Sequence, residues 1–253
     1  RPKASIRDRD GQLLVAKFPR KDDEWPVTRW EATSLWLAHA AGVEVPAWRL
    51  ELVGKRPVLM LRRFDRRGSM RVPFMSSLTA LGAVDNDARS YLEMVDVLRR
   101  EGSDVDRDLH QLWRRAVFNI LVSNTDDHLR NHGFLRDAKG WRLAPAYDLN
   151  PVPVDVRPRT HALAIDDLGG SSSLDTALKV APGFGIKAAE AQSIAREVGV
   201  VVAKWRDAAA KFGITRHQAA RMASAFEHAD LQAALSEKGS AERLPRPRHK
   251  VPQ

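Results

Sequence analysis

The chain has 253 residues, of which 43% are hydrophobic and 29% charged, and this composition argues against an intrinsically disordered protein. No apolar run approaches the roughly 18 residues that a membrane span needs, and the first residues lack the apolar segment of a signal peptide. The absence of cysteine excludes disulfides and thiolate metal sites and fits a reducing compartment, so we expect a cytoplasmic protein. The formal net charge of +9 is mostly arginine dispersed among acidic residues, and by itself it identifies no partner.

The first part of the chain predicts two hairpins with a helix between them. Residues 4–18 contain two β-prone runs around the turn sequence DRDG, and strand alternation puts Lys17 on one face with two apolar residues. The segment VTRWEATSLWLAHAAG predicts a helix that ends at Gly42, with Glu31 on its apolar stripe. A carboxylate on an apolar face needs a cationic partner, and Lys17 is the nearest upstream candidate. WRLELV and RPVLMLRRF then form the second hairpin.

The rest of the chain is mainly helical. DARSYLEMVDVLRR and DVDRDLHQLWRRAVFNILVSN have helical periodicity, and residues 174–236 predict three further helices, LDTALKV, KAAEAQSIAREVGVVVAKWRDAAAKF and TRHQAARMASAFEHADLQAAL. HGFLR and WRLAP predict a third hairpin, and DRRGSMRVPFMSS reads as a loop. The tryptophans on helical stripes are expected in the core, namely Trp30, Trp36, Trp113 and Trp205.

This order of elements predicts an α+β fold with two lobes. We expect a β-rich N-terminal lobe over residues 1–64, a helical C-terminal lobe over residues 65–238 and a basic flexible tail over residues 239–253. The chain starts with RPKA and no methionine, so we expect further residues before it.

The segment NTDDHLRNHGFL concentrates carboxylate, amide and imidazole groups between a helix and a strand. Within it Asp126 and Asn131 are five residues apart, and Asp148 follows the third hairpin. Phosphoryl transfer from ATP needs a lysine for the phosphates, a glutamate to hold that lysine, an aspartate to orient the attacking hydroxyl, and oxygen ligands for Mg²⁺. Lys17, Glu31, Asp126, Asn131 and Asp148 supply these groups in this order along the chain.

Two other functions compete with this interpretation. The DDH sequence with a distant aspartate could bind two metals in a metal-dependent phosphoester hydrolase, although the ligands are few and Lys17 with Glu31 would then have no role. The net charge suggests a DNA-binding module without catalysis, although no DNA-reading motif stands out. Asp127, Asn124 and His132 are interpreted as structural hydrogen-bonding residues of the loop.

At these residues the chain resembles the HipA-type serine/threonine kinases, the toxins of bacterial toxin–antitoxin pairs. The resemblance is carried by RPKA, AKF, RRFDR, NTDDHLRNHGFL and AYDLNP, and it covers residue 1 to about residue 225. It implies a two-lobed protein-kinase-like fold and phosphorylation of serine or threonine on a protein substrate, dependent on ATP and Mg²⁺. It also implies a helix-turn-helix antitoxin of the HipB type as partner, with DNA contacted only through that partner and no membrane.

The resemblance also assigns roles to individual residues. Asp126 becomes the catalytic base, Asn131 and Asp148 the magnesium ligands, and Lys17 the phosphate-binding lysine beside Glu31. Other positions implied for the nucleotide site are a lysine of the phosphate-binding loop, the hinge and part of the catalytic loop, namely Lys3, Arg62, Arg63, Phe64, His128, Leu129, Arg130, Asn131 and Tyr147.

Two features depart from the family pattern. Arg62 stands where the hinge often begins with glutamate, so its side chain cannot accept a hydrogen bond from the adenine amine, although backbone groups of the hinge can still do so. The glycine-rich loop expected before RPKA, with any serine that is autophosphorylated there, is not part of this sequence. Because known family members act on aminoacyl-tRNA synthetases, such an enzyme is the substrate expected by analogy.

Overall fold

The structure is a computed structural model that describes residues 2–68, 70–85, 87–166 and 173–236. Arg1, Asp167 and the expected tail over residues 239–253 lie outside the described residues. Within the described ranges, no helix has both the length and the apolar composition that crossing a membrane requires.

Strands dominate the first part of the chain and helices the second. The strands are β1 (Lys3–Arg7), β2 (Leu13–Lys17), β3 (Trp48–Val53), β4 (Arg56–Arg62), β5 (Arg66–Arg67), β6 (Met70–Arg71), β7 (Phe74–Ser76), β8 (Gly133–Arg136) and β9 (Trp141–Leu143). The α-helices are α1 (Val27–Ala40), α2 (Ser77–Ala80), α3 (Tyr91–Glu101), α4 (Val105–Leu121), α5 (Leu174–Val180), α6 (Ala188–Val202), α7 (Trp205–Lys211), α8 (Arg216–Arg221), α9 (Ala223–Phe226) and α10 (Ala229–Leu235).

The two predicted N-terminal hairpins join into one antiparallel sheet in the order β1-β2-β4-β3. Successive side chains of β4 point to opposite faces of the sheet. Leu59 and Leu61 lie in the main core against α1, while Val58 and Met60 form a small cluster on the opposite face. Lys17 pairs with Leu59 across the β2–β4 ladder and therefore shares the face that looks toward α1.

Helix α1 follows its predicted course and delivers Glu31 to the sheet. It ends at Ala40, and Gly42 adopts a left-handed φ of 77° just beyond it, as expected of a glycine at a helix end. Glu31 is only 2% exposed and lies on the buried stripe with Leu35 and Ala38. The sequence thus places a carboxylate inside the core directly under β2.

The segment predicted as the loop DRRGSMRVPFMSS instead contains three short strands. β5 and β6 form a two-stranded ribbon, and β7 pairs with β8, so the third hairpin becomes a three-stranded sheet in the order β7-β8-β9. Strands of two or three residues are too short to show an alternating pattern, and the pairing of β7 also depends on β8, which is distant in sequence. The prediction of a loop there was wrong.

The two longest predicted C-terminal helices are broken into shorter ones. The helix expected up to Phe212 stops at Val202 and resumes at Trp205, whose ring stacks on Phe226 at 4.6 Å between centroids. The break lets that indole enter the main core, where Trp30 lies 6.1 Å away. The helix expected over TRHQAARMASAFEHADLQAAL is likewise α8, α9 and α10, because tertiary packing overrides local propensity.

Three of the four tryptophans expected in the core are fully enclosed. Trp30 and Trp113 are 0% exposed and Trp205 is 2% exposed. Trp36 is only partly buried, and the Lys211 ammonium lies 4.1 Å from its ring centroid. One continuous core connects the N-terminal sheet to the C-terminal helices.

Candidate active site

A cleft of about 540 Å³ lies between the N-terminal sheet and the loops that follow α4 and β9. It is lined by most of the residues that the sequence assigned to a site, namely Lys3, Lys17, Arg62, Arg63, Phe64, His128, Arg130, Asn131, Tyr147 and Asp148. Glu31, Asp126 and Leu129 are not part of the lining. Glu31 and Leu129 are buried in the core, at 2% and 5% exposure.

Lys17 forms ion pairs with a carboxylate of α1 and with a carboxylate of the loop after β9. Its Nζ lies 2.5 Å from Glu31 Oε1 and 2.8 Å from Asp148 Oδ1, and the side chain is 13% exposed. Burial alone would lower the pKa of Lys17, but the two carboxylates outweigh it and raise the pKa above its ordinary value. Lys17 is therefore a fixed cation, and the pairing with Glu31 predicted from the sequence is present.

Two lysines lie side by side on the sheet wall of the cleft. Lys3 pairs directly with Lys17 across the β1–β2 ladder, and both side chains line the cleft. Like charges at directly opposed positions destabilise a sheet. A polyanion such as a triphosphate would offset this repulsion.

Asp148 faces the lysines from a strained backbone position. Its φ of 61° lies in the left-handed region, and its Oδ1 also accepts a 3.2 Å hydrogen bond from Asn150 Nδ2. Burial alone would raise the pKa of Asp148, but Lys17 outweighs it and holds the pKa below its usual value. The sequence analysis missed Asn150, whose Oδ1 is buried and has no hydrogen-bond partner among the described residues.

Asp126 and Asn131 are linked through the backbone of their shared loop. Asn131 is 6% exposed, and its Nδ2 donates to the Asp126 carbonyl at 3.2 Å. The Asp126 carboxylate is 68% exposed and accepts a 2.9 Å hydrogen bond from Arg157 Nη1. The loop thus presents the Asn131 amide to the cleft and the Asp126 carboxylate to solvent outside its lining.

A buried polar network fixes this loop. Asp127 is 1% exposed and accepts hydrogen bonds from the Tyr91 hydroxyl and, at 2.8 Å, from His132 Nε2. Burial alone would raise the pKa of Asp127, but His132 and Tyr91 outweigh it and keep the pKa below its usual value. Asn124 Nδ2 donates to Asn119 at 3.2 Å. The hydrogen bonds that the sequence predicted for Asp127, His132 and Asn124 are present.

Aromatic rings form the wall at the hinge end of the cleft. Phe64 lies 5.9 Å from Phe74 and 5.7 Å from Tyr147 between ring centroids. The Tyr147 hydroxyl donates to the Arg130 carbonyl at 2.7 Å, and burial raises the pKa of Tyr147 to about 12. Phe74 escaped the sequence analysis because β7 was interpreted as a loop. These rings offer a surface for a planar base.

Two backbone N–H groups of the hinge are already hydrogen-bonded within the fold. The N–H of Arg62 donates to Ala47 at 2.7 Å, and the N–H of Arg63 donates to Leu13 at 3.0 Å. These two N–H groups are therefore committed to the fold and are not free to donate to a ligand.

The oxygen groups of the cleft fit a magnesium ion. Asp148 offers a carboxylate and Asn131 an amide oxygen, which are the hard ligands that Mg²⁺ takes together with water. Asn150 Oδ1, which has no hydrogen-bond partner in the described ranges, is a further oxygen next to Asp148. Among the described residues, no group of three or more histidine and carboxylate side chains is arranged to hold a metal ion.

Comparison with known proteins identifies the family. The model of the HipA-like C-terminal domain matches residues 1–230. The chain belongs to this HipA-like family. The resemblance inferred from RRFDR, NTDDHLRNHGFL and AYDLNP is thereby confirmed.

The HipA-like chain also matches individual relatives. Y4mE of Sinorhizobium fredii, a candidate kinase, is 29% identical over 146 residues, which are 53% of this chain and 33% of Y4mE. HipA of Shewanella oneidensis MR-1, solved with HipB and operator DNA, superposes with a TM-score of 0.70 at 19% identity over 92% of this chain and 62% of that one. CtkA, a proinflammatory kinase of Helicobacter pylori, gives a TM-score of 0.55 at 13% identity over 92% of both chains.

These superpositions define the fold class of the HipA-like chain. It has the α+β, two-lobed protein-kinase-like fold that the sequence predicted. The chain spans about a third of the length of Y4mE and 62% of the solved HipA chain.

Proposed function

We propose that this HipA-like chain is the catalytic part of a protein serine/threonine kinase that uses ATP and Mg²⁺. The observation that carries the proposal is the position of Lys17, which bridges Glu31 in the core and Asp148 in a cleft that Asn131 also lines. A cation held between two carboxylates, next to a second lysine and an aromatic wall, suits a nucleoside triphosphate. The family and its kinase-named relatives support the proposal.

Each residue has a distinct role in the proposed reaction. Lys17 and Lys3 bind phosphate oxygens, and Glu31 keeps Lys17 in place. Asp148 and Asn131 would hold Mg²⁺, which would neutralise charge on the triphosphate when bound. Phe64, Phe74 and Tyr147 pack against the base.

Asp126 handles the proton of the attacking group. The substrate hydroxyl oxygen forms a bond to the γ-phosphorus while the bond to the bridging oxygen breaks, ADP leaves, and the hydroxyl proton passes to the Asp126 carboxylate. That carboxylate is 68% exposed, so a macromolecular substrate can reach it from outside the cleft. Arg157 at 2.9 Å holds it in position until the substrate arrives.

We propose the partners from the comparison with HipA. The solved HipA of Shewanella oneidensis MR-1 is a toxin bound to its antitoxin HipB and operator DNA. By analogy, a HipB-type helix-turn-helix antitoxin binds this chain, DNA is contacted through that antitoxin, and the cytoplasmic substrate is a protein such as an aminoacyl-tRNA synthetase.

The direct test is phosphoryl transfer by purified protein supplied with Mg²⁺ and γ-labelled ATP. Asp126→Asn should lower the rate by at least about a hundredfold, because general-base catalysis contributes about 10²–10⁴-fold. Asp155→Asn is the matched control, since Asp155 is also an exposed aspartate paired with an arginine, Arg221, at 2.6 Å. Label is counted on added bacterial protein and on the chain itself.

Undiminished transfer by Asp126→Asn would overturn the assignment of the base. Hydrolysis of phosphoesters without nucleotide would instead support a metal-dependent hydrolase, and tight sequence-specific DNA binding by the chain alone would support a DNA-binding module.

A further inference from the structure

A second cavity, of about 590 Å³, lies beside the hinge and has a strongly cationic lining. Its wall is built from the β1–β2 turn and the β5–β6 ribbon, and it contains four arginines, Arg7, Arg63, Arg66 and Arg71, against a single carboxylate, Asp10. The proposed kinase chemistry uses none of Arg7, Arg66 and Arg71. We call this set of four side chains the arginine cavity.

The charges of the arginine cavity are only partly balanced within the chain. Asp65 pairs with Arg63 at 2.6 Å and with Arg66. Arg7 makes one described hydrogen bond, from Nη1 to the Gly11 carbonyl at 2.9 Å. In the described part of the chain, Arg71 makes no side-chain hydrogen bond or ion pair. Two guanidinium groups therefore face the cavity without a carboxylate partner among the described residues.

The pairing within the ribbon makes this arrangement costly. Arg66 and Arg71 are directly opposed in the β5–β6 register, and like charges at such positions destabilise a two-stranded pair. A ribbon of two residues per strand gains little from its backbone hydrogen bonds. An anion bound between the two guanidinium groups would turn the repulsion into two attractive contacts.

We propose that the arginine cavity binds the phosphomonoester group of a phosphorylated polypeptide. Guanidinium groups present paired N–H donors that match phosphate oxygens, and convergence of several arginines on one recess is the usual way to bind a single phosphoryl group. Nucleic acid is instead tracked by basic residues along an extended groove.

The arginine cavity has a role separate from the proposed catalysis, but it is adjacent to the active-site cleft. Arg63 lines both the arginine cavity and the active-site cleft. A phosphorylated segment bound in the cavity therefore lies one side chain from the nucleotide site. Because Arg7, Arg66 and Arg71 do not line the cleft, binding in the cavity can be measured without any phosphoryl transfer.

Calorimetric titration of the full chain tests the proposal with a phosphoserine peptide, its unphosphorylated form, inorganic phosphate and a short single-stranded DNA. The phosphopeptide should bind saturably and the unphosphorylated peptide should not. Arg71→Gln should weaken binding by about tenfold or more, because it removes a charge-assisted hydrogen bond, and Arg71→Glu should abolish it. Arg67→Gln, which changes an exposed arginine of the same ribbon outside the lining, should stay within about twofold.

Four outcomes would overturn the proposal. They are the absence of saturable phosphopeptide binding, an equal loss in Arg67→Gln and Arg71→Gln, tighter binding of DNA than of phosphopeptide, and loss of binding in Lys3→Gln but not in Arg71→Gln. The last outcome would place the phosphate in the cleft. Arg71 is exposed, and unchanged circular dichroism of its variants would confirm that they fold.

Discussion

At the scale of single residues, the candidate site combines charge with an unusual backbone position. Asp148 holds a φ of 61°, a region that Asp and Asn enter at lower cost than other side chains. Its carboxylate sits between Lys17 and Asn150, so backbone strain and charge together aim it into the cleft. An aspartate at this position therefore both tolerates the left-handed backbone and supplies the carboxylate of the cleft.

Asp148→Asn separates these two contributions. The amide retains the left-handed backbone and can still accept from Lys17, but it removes the negative charge that a magnesium ligand supplies. We expect Mg²⁺ to increase the affinity of the wild type for an ATP analogue. In Asp148→Asn this increase in affinity should be at least about tenfold smaller. Fluorescence titration with and without Mg²⁺ measures it.

Asp148→Ala is the companion variant. It should lose the magnesium effect and also cost about 1–3 kcal/mol of stability, because alanine is strained at this φ. A magnesium effect that persists in Asp148→Asn would show that the cation is held elsewhere.

At the scale of elements, the β7–β8 pair positions the aromatic wall. Gly133 of β8 pairs with Ser76 of β7, and a Cβ at Gly133 would collide with the Phe74 ring and lie 2.9 Å from the Met75 carbonyl. The glycine therefore leaves room for the Phe74 ring, which packs beside Phe64. This close approach holds β7 against β8, the strand that directly follows the catalytic loop.

Gly133→Ala should destabilise the chain by about 1–3 kcal/mol, because the added methyl overpacks this contact. Adding Phe74→Ala should recover part of that loss, since the ring collision disappears while the collision with the Met75 carbonyl remains. Urea unfolding of the two single variants and the double variant gives the coupling between the sites. Strictly additive losses would contradict the predicted contact.

At the scale of the whole molecule, one core links the N-terminal sheet to the last helices. His161 and the side chain of His228 are each only 8% exposed. Burial lowers the pKa of His161 to about 4 and that of His228 to about 4. In His228, Nε2 donates to the Leu121 carbonyl at 3.1 Å and Nδ1 accepts from the Leu231 N–H at 3.4 Å, where it caps α10. Protonation of His228 at Nδ1 would remove the acceptor of this capping hydrogen bond.

These histidines should make stability depend on pH below neutrality. In the unfolded chain each protonates near its ordinary pKa of 6.5, while the folded chain stays neutral down to about pH 4. The unfolded state thus binds more protons in this interval, and the free energy of unfolding falls as pH falls from about 6.5 to about 4, by up to about 3 kcal/mol per histidine. Urea midpoints at pH 7, 6 and 5 measure the slope.

The double variant His161→Gln/His228→Gln should flatten this dependence. His217→Gln, which changes an exposed histidine, should leave it unchanged. An unaltered slope in the double variant would assign the dependence to other groups.

The sequence by itself determined the order of the functional side chains along the chain and the strand and helix faces on which they lie. Strand alternation placed Lys17, helical periodicity placed Glu31 under it, and both proved correct because these patterns are local and short-range. The RRFDR, NTDDHLRNHGFL and AYDLNP motifs indicated the family, which the comparison confirmed.

Only the tertiary structure decided how these pieces meet. It brought Asp148 onto Lys17 across 131 positions of sequence, turned the Asp126 carboxylate toward Arg157, and paired β7 with β8 beside Phe74. It also opposed Arg66 to Arg71 in a ribbon that no pattern had indicated. Contacts between distant segments depend on the packing of the whole core, and neither propensity nor periodicity in a single stretch of chain carries that information.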